Sequence, residues 1–324
     1  MRGLLRRSGR PAYRAFFATD IHGSDRCFRK FLAAATAYRA DALILGGDIA
    51  GKALVPIERV RDERYRVVLH GEARVVGRDD LDELATTINF NGFYPRIVEP
   101  AETKRLREDS AFGELVFREM IVAQVEGWCA LAAERLAPEV RCVITPGNDD
   151  PLPVDDVLLR AERVECPERE VVPLGPFRLA SLGNTNPTPW STEREFEEEE
   201  LAAQIDTMLA GAPDGGPLVL NFHCPPHASR LDTAMQLDAE LRPVMRHGAP
   251  VEIPVGSTAV RDAIRRYAPT VGLHGHIHES QGVQRIGSTV CLNPGSDYAS
   301  GVLQGAIVDF DEEGGYVNHL FTAG

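Results

Sequence analysis

Short apolar runs alternate with polar, loop-forming segments along the chain, and this pattern predicts an α/β fold. Residues 15–18 (AFFA) form an apolar run that ends at Thr19 and Asp20, and residues 42–45 (ALIL) form a second run. Between the two runs, apolar residues recur at helical spacing after Ser24, a residue type that caps helices. Strand, helix and strand in this order form a βαβ unit, so we expect the two strands to be parallel.

Residues 52 to about 112 interrupt this pattern and are interpreted as an insertion. The stretch 64–76 (RYRVVLHGEARVV) alternates in polarity and turns at His70 and Gly71, as expected of a β-hairpin, and a charge-dense helical stretch follows it. The insertion is either a cap over a functional site or a structural or dimerisation element. The rest of residues 1–324 is interpreted as a single domain that carries this insertion.

The second half of the chain repeats the alternation of strands and helices. The acidic run 193–200 (EREFEEEE) is interpreted as the solvated first turn of a helix, because acidic residues stabilise a helix N-terminus. The apolar pattern predicts helices at about 113–136 and 259–267, and strands at 140–145, 177–182, about 217–223, 270–273, 289–293, 304–310 and 316–321.

Composition excludes several classes of function. The chain has 324 residues, of which 44% are hydrophobic, so it can bury a sizeable core. Its net charge of −13 disfavours general nucleic-acid binding, although a local cationic site for phosphate remains compatible with it. No apolar run reaches the roughly 18 residues that a membrane span needs.

The cysteines and the N-terminal residues bear on the compartment. Six cysteines are scattered singly without a C-x-x-C pair, which argues against a thiolate zinc site or a disulfide framework and predicts a cytoplasmic location. The first fourteen residues contain five arginines and no acid. We interpret them as a short basic tail in preference to a transit peptide, because the apolar strand begins at about Tyr13.

Metal-capable side chains follow five of the apolar strands. In open α/β sheets, sites form at the carboxyl ends of strands, so these side chains are expected to meet. Their number exceeds what one ion needs and suits two ions that share a carboxylate. Mixed imidazole and oxygen ligands favour Mn²⁺, with Fe, Zn, Ni or Co as alternatives. The candidate ligands are Asp20, His22, Asp48, Asn148, His223, His276 and His278.

The same residues carry a resemblance to a known family. The series Asp20-x-His22, Gly47-Asp48-x-x-Gly51, Gly147-Asn148, His223 and Gly275-His276-x-His278 resembles the calcineurin-like metallophosphoesterase superfamily over about residues 14–310. The stretches NPTPW (186–190), GHIHES (275–280) and NPGS (293–296) are similar to its Icc-related predicted phosphoesterases. The resemblance implies a four-layer α/β sandwich, with two mixed β-sheets flanked by helices and a dinuclear metal site at the C-terminal ends of the strands.

The resemblance also implies how the ligands divide between two divalent ions. Asp48 would bridge the ions, and His274 has no ligand role, so His274 is interpreted as a hydrogen-bonded core or supporting histidine. One ion would be bound by Asp20, His22 and His278, and the other by Asn148, His223 and His276.

One position departs from the family pattern. Where the family has G-N-H-[DE], with a histidine that assists phosphate binding and leaving-group protonation, this chain has Gly147-Asn148-Asp149-Asp150. An ionised Asp149 would repel a dianionic phosphomonoester more than a monoanionic diester. A protonated Asp149 would instead donate a proton to the leaving oxygen. His227 is the alternative donor.

The resulting hypothesis is a metal-dependent phosphoesterase that hydrolyses a small phosphodiester through a hydroxide bridging the ions. Its candidate catalytic residues are Asp149, Asn148 and His223. One alternative is a phosphomonoesterase, including a protein phosphatase. An alternative of another class is a metal-binding scaffold of the same fold with little turnover. A homodimer is left open.

Overall fold

The computed structural model describes residues 11–69, 71–211 and 216–324. The basic residues 1–10 and the expected turn residue His70 therefore lie outside the described residues. Across the described ranges, none of the helices combines the length and the apolar character that crossing a membrane requires.

The helices begin and end close to the residues that the pattern indicates. Ser24 caps the first helix, where its hydroxyl accepts a hydrogen bond from the Cys27 N–H at 3.4 Å. The long helix expected at about 113–136 begins three residues earlier, at Ser110, and a shorter helix precedes it. The helices are α1 (Asp25–Ala37), α2 (Leu81–Phe90), α3 (Pro100–Glu108), α4 (Ser110–Arg135), α5 (Pro153–Arg160), α6 (Glu198–Ala210) and α7 (Thr258–Tyr267).

The strands include those that the apolar runs predict, together with several short ones. The strands are β1 (Tyr13–Ala18), β2 (Ala42–Gly46), β3 (Ala53–Arg61), β4 (Arg64–Leu69), β5 (Glu72–Gly77), β6 (Phe93–Val98), β7 (Arg141–Thr145), β8 (Val171–Leu174), β9 (Phe177–Leu182), β10 (Leu218–Phe222), β11 (Thr233–Met235), β12 (Met245–Arg246), β13 (Ala249–Pro250), β14 (Glu252–Pro254), β15 (Val271–Leu273), β16 (Gly282–Ile286), β17 (Thr289–Asn293), β18 (Gln304–Phe310) and β19 (Tyr316–Ala323).

Two mixed sheets form the centre of the molecule. The first has the strand order β19-β18-β1-β2-β7, and the second has the order β16-β17-β15-β10-β9-β8. In the first sheet β1, β2 and β7 are parallel, as the βαβ pattern predicts, while β18 and β19 are joined to it by antiparallel pairing. In the second sheet β9, β10, β15 and β17 are parallel.

The two sheets pack face to face, and helices cover their outer faces. Adjacent residues of a strand point to opposite faces, so Phe17 faces the second sheet while Phe16 faces α1. Phe17 packs in one core with Phe310 of the first sheet and Phe177 of the second. On the far side, Leu220 of β10 packs against α6 and α7. The expected four-layer α/β sandwich with two mixed sheets is confirmed.

The segment between β2 and α4 contains the expected hairpin and builds a sheet of its own. Strands β4 and β5 pair antiparallel, and with β3 and β6 they form a four-stranded sheet in the order β5-β4-β3-β6. This sheet has a separate core around Ile57, Tyr65 and Ile88. That residues 1–324 form one domain with an insertion stays a prediction.

The acidic run 193–200 differs from the expected solvated first turn. Only its last part lies in the first turn of α6. Glu198 accepts hydrogen bonds at the start of α7, from the Ser257 hydroxyl at 2.7 Å and the Thr258 and Ala259 N–H groups at 2.9 and 2.8 Å. The carboxylate therefore satisfies donors at the N-terminus of a neighbouring helix, an arrangement that strand and helix patterns do not reveal.

Candidate metal centre

The side chains expected to bind metal lie beyond the ends of strands from both sheets. Asp20 and His22 follow β1, Asp48 follows β2, and Asn148 follows β7 in the first sheet. In the second sheet, His223 follows β10, and His276 and His278 follow β15. Because the parallel strands of both sheets end at the same edge, the structure brings these side chains together.

The first group consists of Asp20, His22 and His278, whose nearest ligand atoms lie within 4.8 Å of one another. His22 Nε2 and His278 Nε2 are 3.0 Å apart, and His278 Nε2 is 3.3 Å from Asp20 Oδ1. Two imidazole nitrogens that share an ion at about 2.1 Å lie about 3 Å apart when they subtend a right angle. The spacing fits a common ion.

The second group consists of Asp48, His223 and His276, again within 4.8 Å. Asp48 Oδ1 lies 3.2 Å from His223 Nε2, and Asp48 Oδ2 lies 3.7 Å from His22 Nε2. The two oxygens of this carboxylate thus face the two groups separately. In this position the carboxylate could bridge two ions.

Asn148 lines the same cleft as Asp48 and His276 of the second group. Its Nδ2 donates a hydrogen bond to Thr192 Oγ1 at 3.0 Å, which fixes the orientation of the amide. Its Oδ1 is buried and has no hydrogen-bond partner within the described ranges. A buried acceptor without a partner is rare in proteins, and an ion would satisfy it.

The backbone is strained at four of the seven residues. Asp20, His22, Asp48 and His276 have positive φ angles of 54°, 38°, 51° and 68°. Residues with a Cβ rarely adopt this region, and such strain is characteristic of functional sites. The turns that follow the strands are therefore held in uncommon conformations that direct these side chains inward.

Two glycines in the motifs allow the turns to approach each other. A Cβ at Gly147 would lie 2.2 Å from Asp48 Oδ1, and a Cβ at Gly47 would lie 2.5 Å from His223 Nδ1. Gly47 also has a φ of +107°. The Gly-Asp and Gly-Asn pairs of the sequence are therefore explained by close packing around the ligand groups.

The histidines differ in their protonation in the metal-free protein. Burial lowers the pKa of His22 to about 3 and that of His276 to about 4, so both are neutral and can donate a lone pair. Burial would also lower the pKa of His223, but the carboxylates of Asp48 and Asp20 outweigh it and raise this pKa to about 10. His223 Nδ1 lies 2.9 Å from the Gly46 carbonyl, which leaves Nε2 to face the carboxylates.

Asp149 lies beside the first group and forms an ion pair that the sequence did not reveal. Its Oδ2 is 3.1 Å from Lys52 Nζ and 4.0 Å from His22 Nδ1, and its N–H donates to Asp48 Oδ1. Burial raises the pKa of Asp149. The only sequence signal for Lys52 is its position directly after the GGDIAG motif.

Asp150 and His274 have structural roles near the site, whereas His227 lies away from it. Asp150 is fully buried and accepts hydrogen bonds from the N–H groups of Gly147, Ile49 and Ala50, which ties the two turns together. His274 is buried with Nδ1 2.9 Å from the Phe222 carbonyl, in agreement with a core histidine. His227 lies 3.2 Å from the Gly256 carbonyl and lines a different pocket, rich in arginine, so it is not positioned as the alternative proton donor.

A cleft of about 750 Å³ opens over the two groups. Asp48, Asn148, His276 and His278 line it, with Lys52 and Asp149 at one side. Apolar side chains cover much of the remaining wall. A volume of this size suits a small organic substrate.

Comparison with known proteins gives a limited sequence match. No protein-family model matches the chain. An uncharacterized protein of Methanocaldococcus jannaschii, MJ1162, is 28% identical over 158 residues. The match covers 48% of this chain and 63% of that protein, less than two thirds of its length.

A solved structure shares the fold over nearly the whole chain. One crystal structure, 15% identical, aligns over 97% of this chain and 98% of its own, with a TM-score of 0.56. The crystal structure of TT1561 from Thermus thermophilus, 13% identical, covers the same shares with a TM-score of 0.47. At 15% identity, the first of these matches shows a shared fold.

Proposed function

From the calcineurin-like fold and the two ligand groups, we propose that the chain is a metal-dependent phosphoesterase that binds two divalent ions and hydrolyses a phosphodiester. The observation that carries this proposal is the position of Asp48, whose two oxygens face the two groups at 3.2 and 3.7 Å. One ion is assigned to Asp20, His22 and His278. The other is assigned to Asn148, His223 and His276, with Asp48 between them.

The donor set supports a transition metal, with Mn²⁺ favoured. Imidazoles, carboxylates and an amide oxygen surround the site, and no thiolate of the described residues joins the two groups. When bound, two such ions polarise a phosphoryl oxygen and lower the pKa of water enough to provide a nucleophile at neutral pH.

The residues of the chain position the substrate and control charge. Lys52 Nζ is available at the cleft wall to donate to a phosphate oxygen, and Asp149 holds it there. Asp149 also adds a negative charge close to where a phosphate would bind. A monoanionic diester therefore meets less repulsion than a dianionic monoester, which supports the diester as substrate.

A phosphomonoesterase, including a protein phosphatase, is the second candidate, and Lys52 favours it. Its ammonium group offsets the charge of Asp149 in an ion pair of 3.1 Å. The site would then present no excess negative charge to a dianion. A metal-binding scaffold with little turnover is the third candidate, and the aspartate that stands at position 149 in place of the family histidine favours it.

Turnover by metal-reconstituted protein separates these candidates. We expect Mn²⁺-loaded protein to hydrolyse bis(p-nitrophenyl) phosphate with a higher kcat/KM than p-nitrophenyl phosphate, and Asp48→Asn to abolish both activities. A reversed preference would favour the monoesterase. Two bound ions with no turnover of either substrate would favour the scaffold. The cytoplasmic location and the homodimer stay predictions.

A further inference from the structure

The cleft carries apolar side chains that phosphate chemistry does not require. Trp190 is 63% exposed and Met235 is 46% exposed, yet both line the same cleft as the ligand groups. Phe117, Pro187 and Ile253 extend this surface. Exposed apolar surface next to a polar reaction centre costs free energy in the unbound protein and indicates a ligand with an apolar part.

The loop of Trp190 is connected to the ligand groups by hydrogen bonds. The Trp190 backbone N–H donates to Thr188 Oγ1 at 3.2 Å. The carboxylate of Glu195 accepts hydrogen bonds from the hydroxyls of Thr188 and Thr192 at 2.5 and 2.6 Å. Thr192 in turn accepts from Asn148 Nδ2 at 3.0 Å. A continuous hydrogen-bonded chain therefore connects the loop of Trp190 to a proposed metal ligand.

A small antiparallel ribbon that is tied to the same loop also lines the cleft. Met235 lies at the end of β11 and is paired with Glu252 of β14, next to Ile253. Asn186, four residues before Trp190, donates from Nδ2 to the Val255 carbonyl at 3.1 Å. A direct hydrogen bond thus joins this ribbon to the loop of Trp190.

We propose that the walls formed by Trp190, Met235 and Ile253 bind an aromatic ring that the phosphoester carries next to its phosphate. This inference rests on the proposed function and names its substrate class, an aryl or heteroaromatic ester. We expect a planar ring to stack on the exposed face of Trp190, with the apolar ribbon residues that line the same cleft beside it. The 750 Å³ of the cleft accommodates a phosphate together with a ring.

Two phosphonates that the enzyme cannot hydrolyse test the subsite directly. Phenylphosphonate and methylphosphonate share the anionic group and differ by the ring. We expect Mn²⁺-loaded protein to bind phenylphosphonate about tenfold or more tightly than methylphosphonate in calorimetric titrations. Trp190→Ala should reduce this ratio to about two or less, whereas Trp190→Phe should largely retain it because an aromatic face remains.

Control variants and outcomes keep the inference separate from the proposed function. Leu159→Ala removes an apolar side chain that is 67% exposed and does not line the cleft. The ratio of its affinities for phenylphosphonate and methylphosphonate should therefore match that of the wild type. Elemental analysis checks that each variant retains its ions. A ratio near one in wild-type protein, or an unchanged ratio in Trp190→Ala, would overturn the aromatic subsite even if diesters are hydrolysed. If neither phosphonate binds and no ester is hydrolysed, the proposed function itself fails.

Discussion

At the residue scale, Asp48 links the two ligand groups, and its replacement tests whether they act as one centre. We expect wild-type protein supplied with Mn²⁺ to hold two ions, Asp48→Ala to lose both, and His278→Ala to loosen mainly one. The reason is that Asp48 faces both groups, whereas His278 belongs to the first group alone. Elemental analysis after gel filtration measures this.

His227→Ala is the matched control for these variants, because His227 lies outside both groups. It should retain two ions. One ion or none in folded wild-type protein would contradict the two-metal assignment.

Asp149 is the residue at which the chain departs from the pattern of the family that it resembles, and its two candidate roles predict different kinetics. If its charge repels phosphate, Asp149→Asn should lower KM for a monoester relative to a diester. If it donates a proton, the same change should slow diesters with poor leaving groups and spare those with good ones. Asp149→His restores the family residue and should raise turnover, up to the roughly 10²- to 10⁴-fold that a positioned acid contributes.

Asp156→Asn is the control for Asp149, since Asp156 is exposed on α5 outside the cleft. Steady-state kinetics over a series of leaving groups is the measurement. Identical kinetics for Asp149→Asn, Asp149→Ala, Asp149→His and wild type would show that this side chain does not act on the phosphate.

Titration of Glu168 makes the free energy of unfolding depend on pH, and this effect does not involve the metal centre. Burial raises its pKa to about 7, while it accepts the Gly183 N–H at 2.9 Å. In the unfolded chain the pKa of this carboxyl group has its ordinary value, near 4.3. The folded state therefore binds the proton more tightly, which stabilises it at low pH, and this stabilisation is lost as pH rises towards 7.

We therefore expect Glu168→Gln to gain stability relative to wild type between about pH 5 and pH 8, by roughly 2–3 kcal/mol. Urea denaturation at each pH measures the difference. Glu170→Gln, at an exposed position, should show no such trend. A difference independent of pH for Glu168→Gln would mean that the carboxyl group titrates normally.

At the element scale, the β4–β5 hairpin tests the two hypotheses for the insertion. No described residue of 53–112 lines the cleft, and the segment reaches the site through Tyr94, whose hydroxyl accepts the Gly51 N–H at 2.7 Å. We therefore expect deletion of residues 64–76 to leave metal content and diester kinetics unchanged. A changed preference among small diesters would support the cap.

Substitutions on the surface of the hairpin test the dimerisation hypothesis, because they disturb the sheet less than a deletion does. Val68 and Val75 of the hairpin are 50% and 52% exposed, so Val68→Lys with Val75→Lys keeps the strands and alters only their surface. If the protein is a dimer through this sheet, light scattering should report a monomer for the double variant.

At the scale of the whole molecule, ion binding should couple to the packing of the two sheets. Asp20, His22 and Asp48 follow strands of one sheet, whereas His223 and His276 follow strands of the other. Ions that bind only the folded protein stabilise it by about 2.7 kcal/mol at 100 times Kd. We expect Mn²⁺ to raise Tm by several degrees in calorimetry and EDTA to reverse the shift. If Mn²⁺ raised the Tm of Asp48→Ala by the same amount, the stabilising ions would bind outside the two ligand groups.

Local sequence patterns determined much of the secondary structure and most residues of the candidate site. Strands β1, β2, β9, β10 and β17, the cap at Ser24 and the grouping of metal-capable residues after strand ends were all predictable. Apolar periodicity and capping depend on neighbours a few residues away, and the carboxyl ends of parallel strands converge wherever a sheet forms.

Only the tertiary structure decided which distant residues meet. Lys52 with Asp149, Thr192 with Asn148, and Glu198 with the start of α7 are contacts between segments far apart in the chain, and no periodicity encodes them. The wall of Trp190 and Met235 likewise depends on two separate segments that fold against each other. A single side chain carries no signal of its partner, because pair energies arise only when folding places the two groups within contact distance.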